Sequence, residues 1–481
     1  MPTRSASDAA SPLRPSPNEK AGKGPQEQAL NHMRAVPRLT ISRELERIES
    51  YDPSRTYSFR YRSRNHANLP HVIKFSGGRS SGLLLFTLLE NGFLDQQRGD
   101  VVVFNNTSCE HPETYRFVAE CKARVEEAGI PFFLIQYQTY EDARQGKWRR
   151  LPSYRLVNEH PFSEENPDGF EWRGEAFEEM ISSKAYLPNQ FRRVCTHSLK
   201  LETTRQFLRD WFASKKGIPH QGHGMEESLL DEDTMYRQHR RNGGTVPKEI
   251  LTAKRRYVLS RPTSRPKQAY KDFSAPAAPF ENKTLQGKVF GQKAWLGEGG
   301  IEYVAFIGLR GDEQLRVTRV ETRSSNPHAN VGYEGEWVYM PLATMNIGKD
   351  DVNLFWDQQD WDLDLPRDGS LSNCVYCFLK GVNNLAQVHA NMESQKSTDI
   401  AGFGPTTGTP CDINWWVSRE SEYRRDLEEE HRKRTNPDSP NFIGFFGATN
   451  GFSYELLVAN ANNKEVLERF DSTILPCDCT E

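Results

Sequence analysis

Residues 71–82 read His71-Val72-Ile73-Lys74-Phe75-Ser76-Gly77-Gly78-Arg79-Ser80-Ser81-Gly82, and this stretch decides the fold. Its mostly apolar first half predicts a buried strand, and the Leu-rich run behind it predicts a helix over 81–91. The glycines between them let the backbone turn tightly and approach an anion, while Ser81 and the first amides of the helix lie at the positive end of the helix dipole. The stretch therefore predicts a cradle for a phosphate or sulfate ester.

Further apolar runs follow at the spacing of a parallel sheet. Strands are predicted at 101–107, 131–135 and 301–309, with an amphipathic helix that ends near Ala128 between the first two. An alternation of strands and helices predicts an α/β fold with a parallel sheet, whose ligands bind beyond the carboxyl ends of the strands.

Several motifs in residues 70–380 occur together in one order. They are Ser-Gly-Gly-x-x-Ser at 76–81, Asn106-Thr107 with Glu110 and Glu113-Thr114, Tyr186-Leu187-Pro188-Asn189 with Arg193-Val194-Cys195-Thr196 and Leu199-Lys200, and Gly308-Leu309-Arg310-Gly311-Asp312-Glu313 with Arg316 and Arg319. This set resembles the phosphoadenosine phosphosulfate reductase family, which belongs to the PP-loop (N-type ATP pyrophosphatase) superfamily. The resemblance implies a parallel-sheet PP-loop domain of the adenine nucleotide alpha-hydrolase-like, Rossmann-like type, followed by a helical C-terminal extension.

The same motifs give the expected site for an adenine nucleotide, either a sulfonucleotide or ATP. Phosphate or sulfate binding is expected from Ser76, Gly77, Gly78, Arg79, Ser80, Ser81, Asn106, Thr107, Arg310, Arg316 and Arg319, with Lys200 as a further anion ligand and catalytic candidate. Guanidinium groups match sulfate and phosphate oxygens with two parallel hydrogen bonds. Asp312 and Glu313 are expected to orient the arginines or to hold a metal such as Mg. ATP-using PP-loop enzymes usually have Asp where this chain has Ser80, which leans away from a Mg-assisted ATP step.

Composition sets the organisation of the chain. The protein has 481 residues, a quarter of them charged, and a net charge of -3, which argues against a generally basic nucleic-acid coat. We predict a disordered tail over 1–40, a main domain over 66–381 with a basic insertion over 213–300, and a helical region over 382–481 that ends in Cys477-Asp478-Cys479. A highly charged helix over 418–434 is expected to be largely exposed. No apolar run is long enough to span a membrane and no signal peptide is evident, so a cytoplasmic protein is expected.

Cysteine is the other informative residue type. The eight cysteines are at 109, 121, 195, 374, 377, 411, 477 and 479. Disulfides rarely persist in the cytosol, so metal or redox chemistry is the better explanation for Cys374-Val375-Tyr376-Cys377. Cys109, Cys121 and Cys411 are interpreted as structural, because an isolated cysteine is most often a small buried hydrophobic residue.

The resemblance decides between cluster and zinc. Adenylylsulfate reductases of the family hold a [4Fe-4S] cluster through cysteines that align with Cys195, Cys374 and Cys377, and a cysteine near their C-terminus attacks the sulfonucleotide. The family's first site is usually a Cys-Cys pair, whereas here Val194 precedes Cys195. The metal ligands are therefore expected to be Cys195, Cys374, Cys377 and Cys477, with zinc as the alternative, and Cys477 and Cys479 are the candidate nucleophiles.

By resemblance, the expected function is thiol-dependent reduction of a sulfonucleotide to sulfite, with a thioredoxin-like dithiol protein as reductant. The alternatives are an ATP-dependent sulfurtransferase that acts on nucleic acid, favoured by the basic insertion, and a regulatory or defence module that only binds nucleotide.

Overall fold

The computed structural model describes residues 64–142, 149–184, 186–214, 223–224, 292–293, 296, 301–325, 335–427, 441–447 and 451–470. The tail expected over 1–40, most of the insertion expected over 213–300, and Cys477 and Cys479 lie outside the described residues.

A six-stranded sheet forms the centre of the molecule. The described strands are β1 (His71–Phe75), β2 (Val101–Asn106), β3 (Phe132–Asp142), β4 (Arg149–Val157), β5 (His223–Gly224), β6 (Gln292–Lys293), β7 (Tyr303–Ile307), β8 (Glu336–Tyr339), β9 (Arg425–Asp426) and β10 (Phe442–Ile443). The main sheet has the order β4-β3-β2-β1-β7-β8, and all of its neighbouring pairs are parallel except β3 with β4. β5 with β6 and β9 with β10 form two small antiparallel pairs.

The centre of the sheet is buried on both faces, as is usual for parallel strands. Every residue of β1 is buried, including Lys74. The Lys74 ammonium donates to the carboxylate of Glu336 on β8 at 2.8 Å, and Tyr303 donates to the same carboxylate at 2.8 Å. Because the charge of Lys74 is paired and hydrogen-bonded, a lysine is tolerated in an otherwise apolar strand.

The described helices are α1 (Arg79–Glu90), α2 (Pro112–Glu127), α3 (Glu175–Lys184), α4 (Thr203–Ser214), α5 (Gln314–Ser325), α6 (Pro341–Thr344), α7 (Lys349–Asp357), α8 (Val382–Gln395), α9 (Ile413–Tyr423), α10 (Tyr454–Asn460) and α11 (Lys464–Glu468), with a 3-10 helix at Arg64–Asn68 and a π-helical turn at Thr196–Glu202. None of the helices within the described ranges is long and apolar enough to cross a membrane.

Helices cover both faces of the sheet. Ile73 and Phe75 of β1 belong to a large hydrophobic cluster with side chains of α1, α2 and α7, whereas Val72 belongs to a second cluster with α4. A third cluster packs α5 against the ends of β7 and β8. The side chains of a strand alternate between faces, so these clusters define helix, sheet and helix layers.

The sequence predicted the architecture and four of the strands. An α/β fold with a mostly parallel sheet is confirmed, and β1, β2, β3 and β7 lie where strands were expected. The edge strands β4 and β8 were not predicted. β4 contains Pro152 and the sequence Arg149-Arg150, which hide its pattern, and β8 is only 4 residues long.

The C-terminal helices join the same core. Leu385 of α8, Trp416 of α9 and Leu457 of α10 belong to the cluster that contains Phe75. The expectation of an exposed charged helix over 418–434 was wrong for the described part, because the helix begins at Ile413 and Glu420 is buried. The boundary expected between 381 and 382 stays a prediction.

Candidate anion site and buried cysteines

The loop between β1 and α1 can only accommodate glycine at position 77. Gly77 has φ of +76°, and a Cβ there would lie 2.8 Å from the Thr114 methyl and 3.1 Å from both Phe104 and Val118. L-residues avoid this backbone region, and the space for a side chain is already filled by α2 and β2. Gly77 therefore fixes the sharp turn that carries the chain from the sheet into α1.

The second glycine is different, because nothing in the described structure crowds it. Gly78 caps α1 in an extended conformation, and a Cβ on it would lie 3.7 Å from the Ser76 hydroxyl. Gly78 has no side chain to cap this end of α1, and the first turn of the helix contains no acidic residue. The first amides of a helix have no backbone acceptors, so this terminus offers uncapped donors on a positive dipole end.

The serines of the loop line the same turn. The Ser76 hydroxyl donates to the Ser81 hydroxyl at 3.1 Å, and the Ser81 hydroxyl donates to the Gly78 carbonyl at 2.8 Å. The Ser80 hydroxyl accepts a hydrogen bond of 3.1 Å from Nη1 of Arg310. The loop is thus hydrogen-bonded to itself on one side and to the end of β7 on the other.

The segment after β7 presses closely on α1. A Cβ on Gly308 would lie 3.0 Å from the Ser81 Cα, so glycine permits this approach. Beyond it, Arg310 donates from Nε to Asp312 at 2.8 Å and from its backbone amide to Glu313 at 3.0 Å. Asp312 and Glu313 therefore orient the arginine, which is one of the two roles expected for them.

Arg316 carries a buried donor that has no acceptor within the described part of the chain. Its Nη1 donates to Glu313, and its side chain is 13% exposed. Its Nη2 is buried and has no hydrogen-bond partner among the residues that the structure describes. A buried guanidinium donor left unsatisfied is costly, and an oxyanion at this point would satisfy it.

The other expected ligands have different surroundings. Arg79 donates to both carboxylate oxygens of Asp362, at 2.9 and 3.2 Å from Nε, and to the carbonyls of Leu363 and Leu365. Its guanidinium therefore holds α1 against the segment after α7. Arg319 lies partly buried on α5, and Lys200 lies in the π-helical turn.

Asn106 and Thr107 are fully buried at the end of β2. The Asn106 amide donates to Gln136 at 2.7 Å, and its oxygen accepts from Tyr115 at 2.9 Å. The Thr107 hydroxyl donates to Glu110 at 2.6 Å. These contacts hold the turn that leads into α2, and the role of both residues as anion ligands stays a prediction.

The carboxyl ends of β1 and β7 meet at the point where the strand order reverses. β1 is followed by β2 and β3 on one side, and β7 lies against its other side. In open α/β sheets this point forms a crevice in which ligands bind. The uncapped helix terminus, the loop serines, Arg310 and Arg316 all come from the elements at this crevice, so their joint chemistry is that of an oxyanion site.

The described cysteines are six, and none of them forms a disulfide. Cys374 and Cys377 lie together in the buried loop before α8, as their spacing implies. Cys195 immediately precedes the π-helical turn, which packs on β2, β3 and α3, and it is only partly buried. In the part of the chain that the structure describes, no three His, Cys, Asp or Glu side chains are placed to hold a metal ion.

Cys109 and Cys411, both expected to be structural, lie near the Cys374 loop: Cys109 contacts Cys374, and Cys411 lies near Cys109. The Cys374 thiol is within hydrogen-bonding reach of the Cys109 thiol. Cys411 lies close enough to Cys109 to act on that thiol electrostatically. Burial and these neighbours raise the pKa of the Cys109 thiol, and burial raises that of Cys411 to about 12. Cys109 follows the Asn106-Thr107 motif closely, which is the one sequence signal that could have marked it, whereas Cys411 has no local signal.

No family model matches this chain, and neither the curated proteins nor the solved structures include one with significant similarity to it.

Proposed function

We propose that this protein is a PP-loop enzyme of the phosphoadenosine phosphosulfate reductase type that binds an adenine sulfonucleotide at the crevice between β1 and β7. The observation that carries the proposal is the convergence of an uncapped helix N-terminus and two arginines at a strand-order reversal. Each of these features alone occurs in many proteins. Together they supply backbone amides, hydroxyls and guanidinium forks for one anionic group.

Support for a sulfonucleotide over ATP comes from Ser80. ATP-using PP-loop enzymes usually have a carboxylate at the equivalent position, and Ser80 instead accepts a hydrogen bond from Arg310 at 3.1 Å. A hydroxyl beside a guanidinium favours direct binding of sulfate or phosphate oxygens over a bridging Mg ion.

In the proposed reaction, a cysteine thiolate attacks the sulfur of the sulfonucleotide. The S–O bond to the nucleotide phosphate breaks, and the products are an enzyme S-sulfonate and the nucleoside phosphate, which leaves with the electron pair. A dithiol such as thioredoxin then reduces the S-sulfonate, which releases sulfite and regenerates the enzyme thiol while the dithiol becomes a disulfide. Cys477 and Cys479 are the candidate nucleophiles, and Lys200 is the candidate that positions the anion.

The test is a parallel assay of one anaerobic preparation of the full chain with adenylyl sulfate, its 3'-phosphorylated form and ATP, each with a thioredoxin-like dithiol. The proposal expects sulfite and nucleoside phosphate in equal amounts from one of the sulfonucleotides, without ATP consumption. Consumption of ATP without sulfite formation would favour the sulfurtransferase, and binding without turnover of any of the three would favour a nucleotide-binding module.

A further inference from the structure

Four buried cysteines come from three separate segments of the chain. Cys109 lies in the turn after β2, Cys374 and Cys377 lie in the loop before α8, and Cys411 lies just before α9. Their exposed fractions are 0%, 8%, 4% and 2%, respectively. A single buried cysteine is unremarkable, but four in one part of the core call for a physical reason.

Direct contacts join the three segments. The Val375 amide donates to the Cys109 carbonyl at 3.0 Å, which places the loop before α8 on the turn after β2. The Cys411 thiol lies 3.9 Å from the Glu110 carbonyl, which places the third segment on the same turn. The Cys374 sulfur lies 3.4 Å from the Thr107 hydroxyl.

Tyr454 packs over the loop that carries Cys374 and Cys377. The Tyr454 hydroxyl donates to the Tyr376 carbonyl, so α10 closes over the loop between the two cysteines. Burial raises the pKa of this phenol, and Cys377, Cys374 and Cys109 all contribute to that effect through space. Cys109, Cys374 and Cys377 therefore lie near one buried phenol, and Cys411 packs against the turn that carries Cys109.

We propose that Cys109, Cys374, Cys377 and Cys411 are the four thiolate ligands of a [4Fe-4S] cluster. Four cysteine thiolates are the usual ligand set of such a cluster, and Cys-x-x-Cys is a usual part of it. The thiols do not enclose a single metal ion as they stand. A cluster with one iron atom for each thiolate is larger than one ion, so the Cys109 and Cys374 side chains, which contact each other here, would move apart to bind it.

This ligand set deepens the proposed function and rests on it for the choice of iron and sulfide over zinc. It replaces the set of Cys195, Cys374, Cys377 and Cys477 expected from the resemblance. It also needs no ligand from 477 or 479, so both C-terminal cysteines stay available as nucleophiles. The cluster would lie behind the turn that carries Thr107, within the core that supports α2.

The test uses the full chain, purified without oxygen and reconstituted with ferrous iron and sulfide under a thiol reductant. Iron, acid-labile sulfide and zinc are measured per chain, together with the visible absorption band of the cluster. We expect about four iron and four sulfide per wild-type chain, and a drop of about tenfold or more in bound iron for Cys109→Ser and for Cys411→Ser.

Two variants serve as controls. Cys121 lies on α2 with 0% exposure, so Cys121→Ser matches the burial of Cys109 without touching the group. Cys195→Ser removes the ligand expected from the resemblance. Both should keep wild-type iron, and far-ultraviolet circular dichroism on every variant separates loss of cluster from loss of fold.

Several results would overturn the ligand set. They are zinc in place of iron, wild-type protein that takes up neither metal, and loss of iron in Cys195→Ser with retention in Cys109→Ser and Cys411→Ser. The first two results are obtained on the wild-type protein, so they test the ligand set even if a variant does not fold. Binding of adenylyl sulfate is measured on the same samples: iron without nucleotide binding would overturn the proposed function alone, and nucleotide binding without iron would overturn the ligand set alone.

Discussion

The crevice at β1 and β7 and the buried cysteine group are both proposed sites for charged groups, but they are assembled in different ways. The crevice takes most of its donors from residues 76–81, which are consecutive in the chain, and adds Arg310 and Arg316 from one further segment. The cysteine group takes single thiols from three segments that only the complete fold brings together. A site built from consecutive residues can therefore be predicted from the sequence. A site built from distant segments can be predicted only in part, because the fold must first bring those segments together.

The largest expected effect comes from separating the two glycines of the crevice. Gly77→Ala should lower the free energy of unfolding by about 3 to 4 kcal/mol, because the backbone is left-handed there and the new methyl meets Thr114 and Val118. Gly78→Ala should change it by less than about 1 kcal/mol, because nothing crowds that position. Denaturant titration of both variants measures the contrast. Equal losses of unfolding free energy would contradict the view that Gly77 serves the fold and Gly78 serves the anion site.

The C-terminal side of the molecule offers a pH test that the crevice does not. Glu420 is buried and accepts hydrogen bonds from the amides of Phe445 and Tyr454, each at 3.0 Å. Burial raises the pKa of its carboxyl from 4.5 to about 7. Between these values the folded state holds a proton that the unfolded state has lost, so stability should fall as pH rises from about 4.5 to about 7, by on the order of 3 kcal/mol.

Glu420→Gln isolates that effect, because it removes the titrating group and leaves the other carboxyls in place. The variant should lose stability at low pH, since its amide nitrogen faces a backbone donor, and its pH dependence over the same interval should be flatter than that of the wild type. Urea titrations at several pH values measure both. Identical slopes for variant and wild type would show that Glu420 is not the group responsible.

Lysine substitutions test whether the arginines at the crevice bind the ligand or only support the fold. Arg310→Lys keeps the charge but loses the planar fork, so affinity for a sulfonucleotide should weaken by about 1 to 3 kcal/mol. Arg316→Lys should behave in the same way, because its buried Nη2 lacks a partner in the described structure. Calorimetric titration measures both, and changes within about 0.5 kcal/mol would mark the two residues as parts of the scaffold only.

The smallest effect is expected at Arg79, whose guanidinium is engaged by Asp362 and two carbonyls. Arg79→Lys should lower stability by about 1 to 2 kcal/mol through the lost paired hydrogen bonds. Asp362→Asn removes the other side of the same contact, so the double variant should be less unstable than the sum of the single variants. Additive losses, or a larger effect on nucleotide affinity than that of Arg310→Lys, would contradict a bracing role.

These contrasts show which parts of the molecule the sequence could predict. β1, β2, β3 and β7 were predictable because they are short apolar runs, as buried parallel strands are, and Gly77 with Gly78 marks the turn after the first of them. β4 was not, because an antiparallel edge strand needs no continuous apolar run and this one carries Pro152 and several arginines.

The same reasoning applies to the site residues. Arg310 and Arg316 could be named because they follow a predicted strand, and the carboxyl ends of parallel strands share one edge. The contact between Arg79 and Asp362 could not be predicted, because these residues are far apart in sequence and only the fold brings them together. Cys374 and Cys377 could be named as ligands from their Cys-x-x-Cys spacing. Cys109 and Cys411 could not, because only the packing of three segments brings them near this pair.

The central claim is that the uncapped N-terminus of α1 binds the anionic part of a nucleotide, and one pair of variants tests it directly. Gly78 and Gly348 are both extended helix N-caps with room for a Cβ, but the backbone amide of Gly348 is already engaged by the Asp351 carboxylate at 2.9 Å. Calorimetric titration of adenylyl sulfate into folded Gly78→Val and Gly348→Val should show no binding for the first and wild-type affinity for the second. Wild-type affinity in folded Gly78→Val would contradict the account.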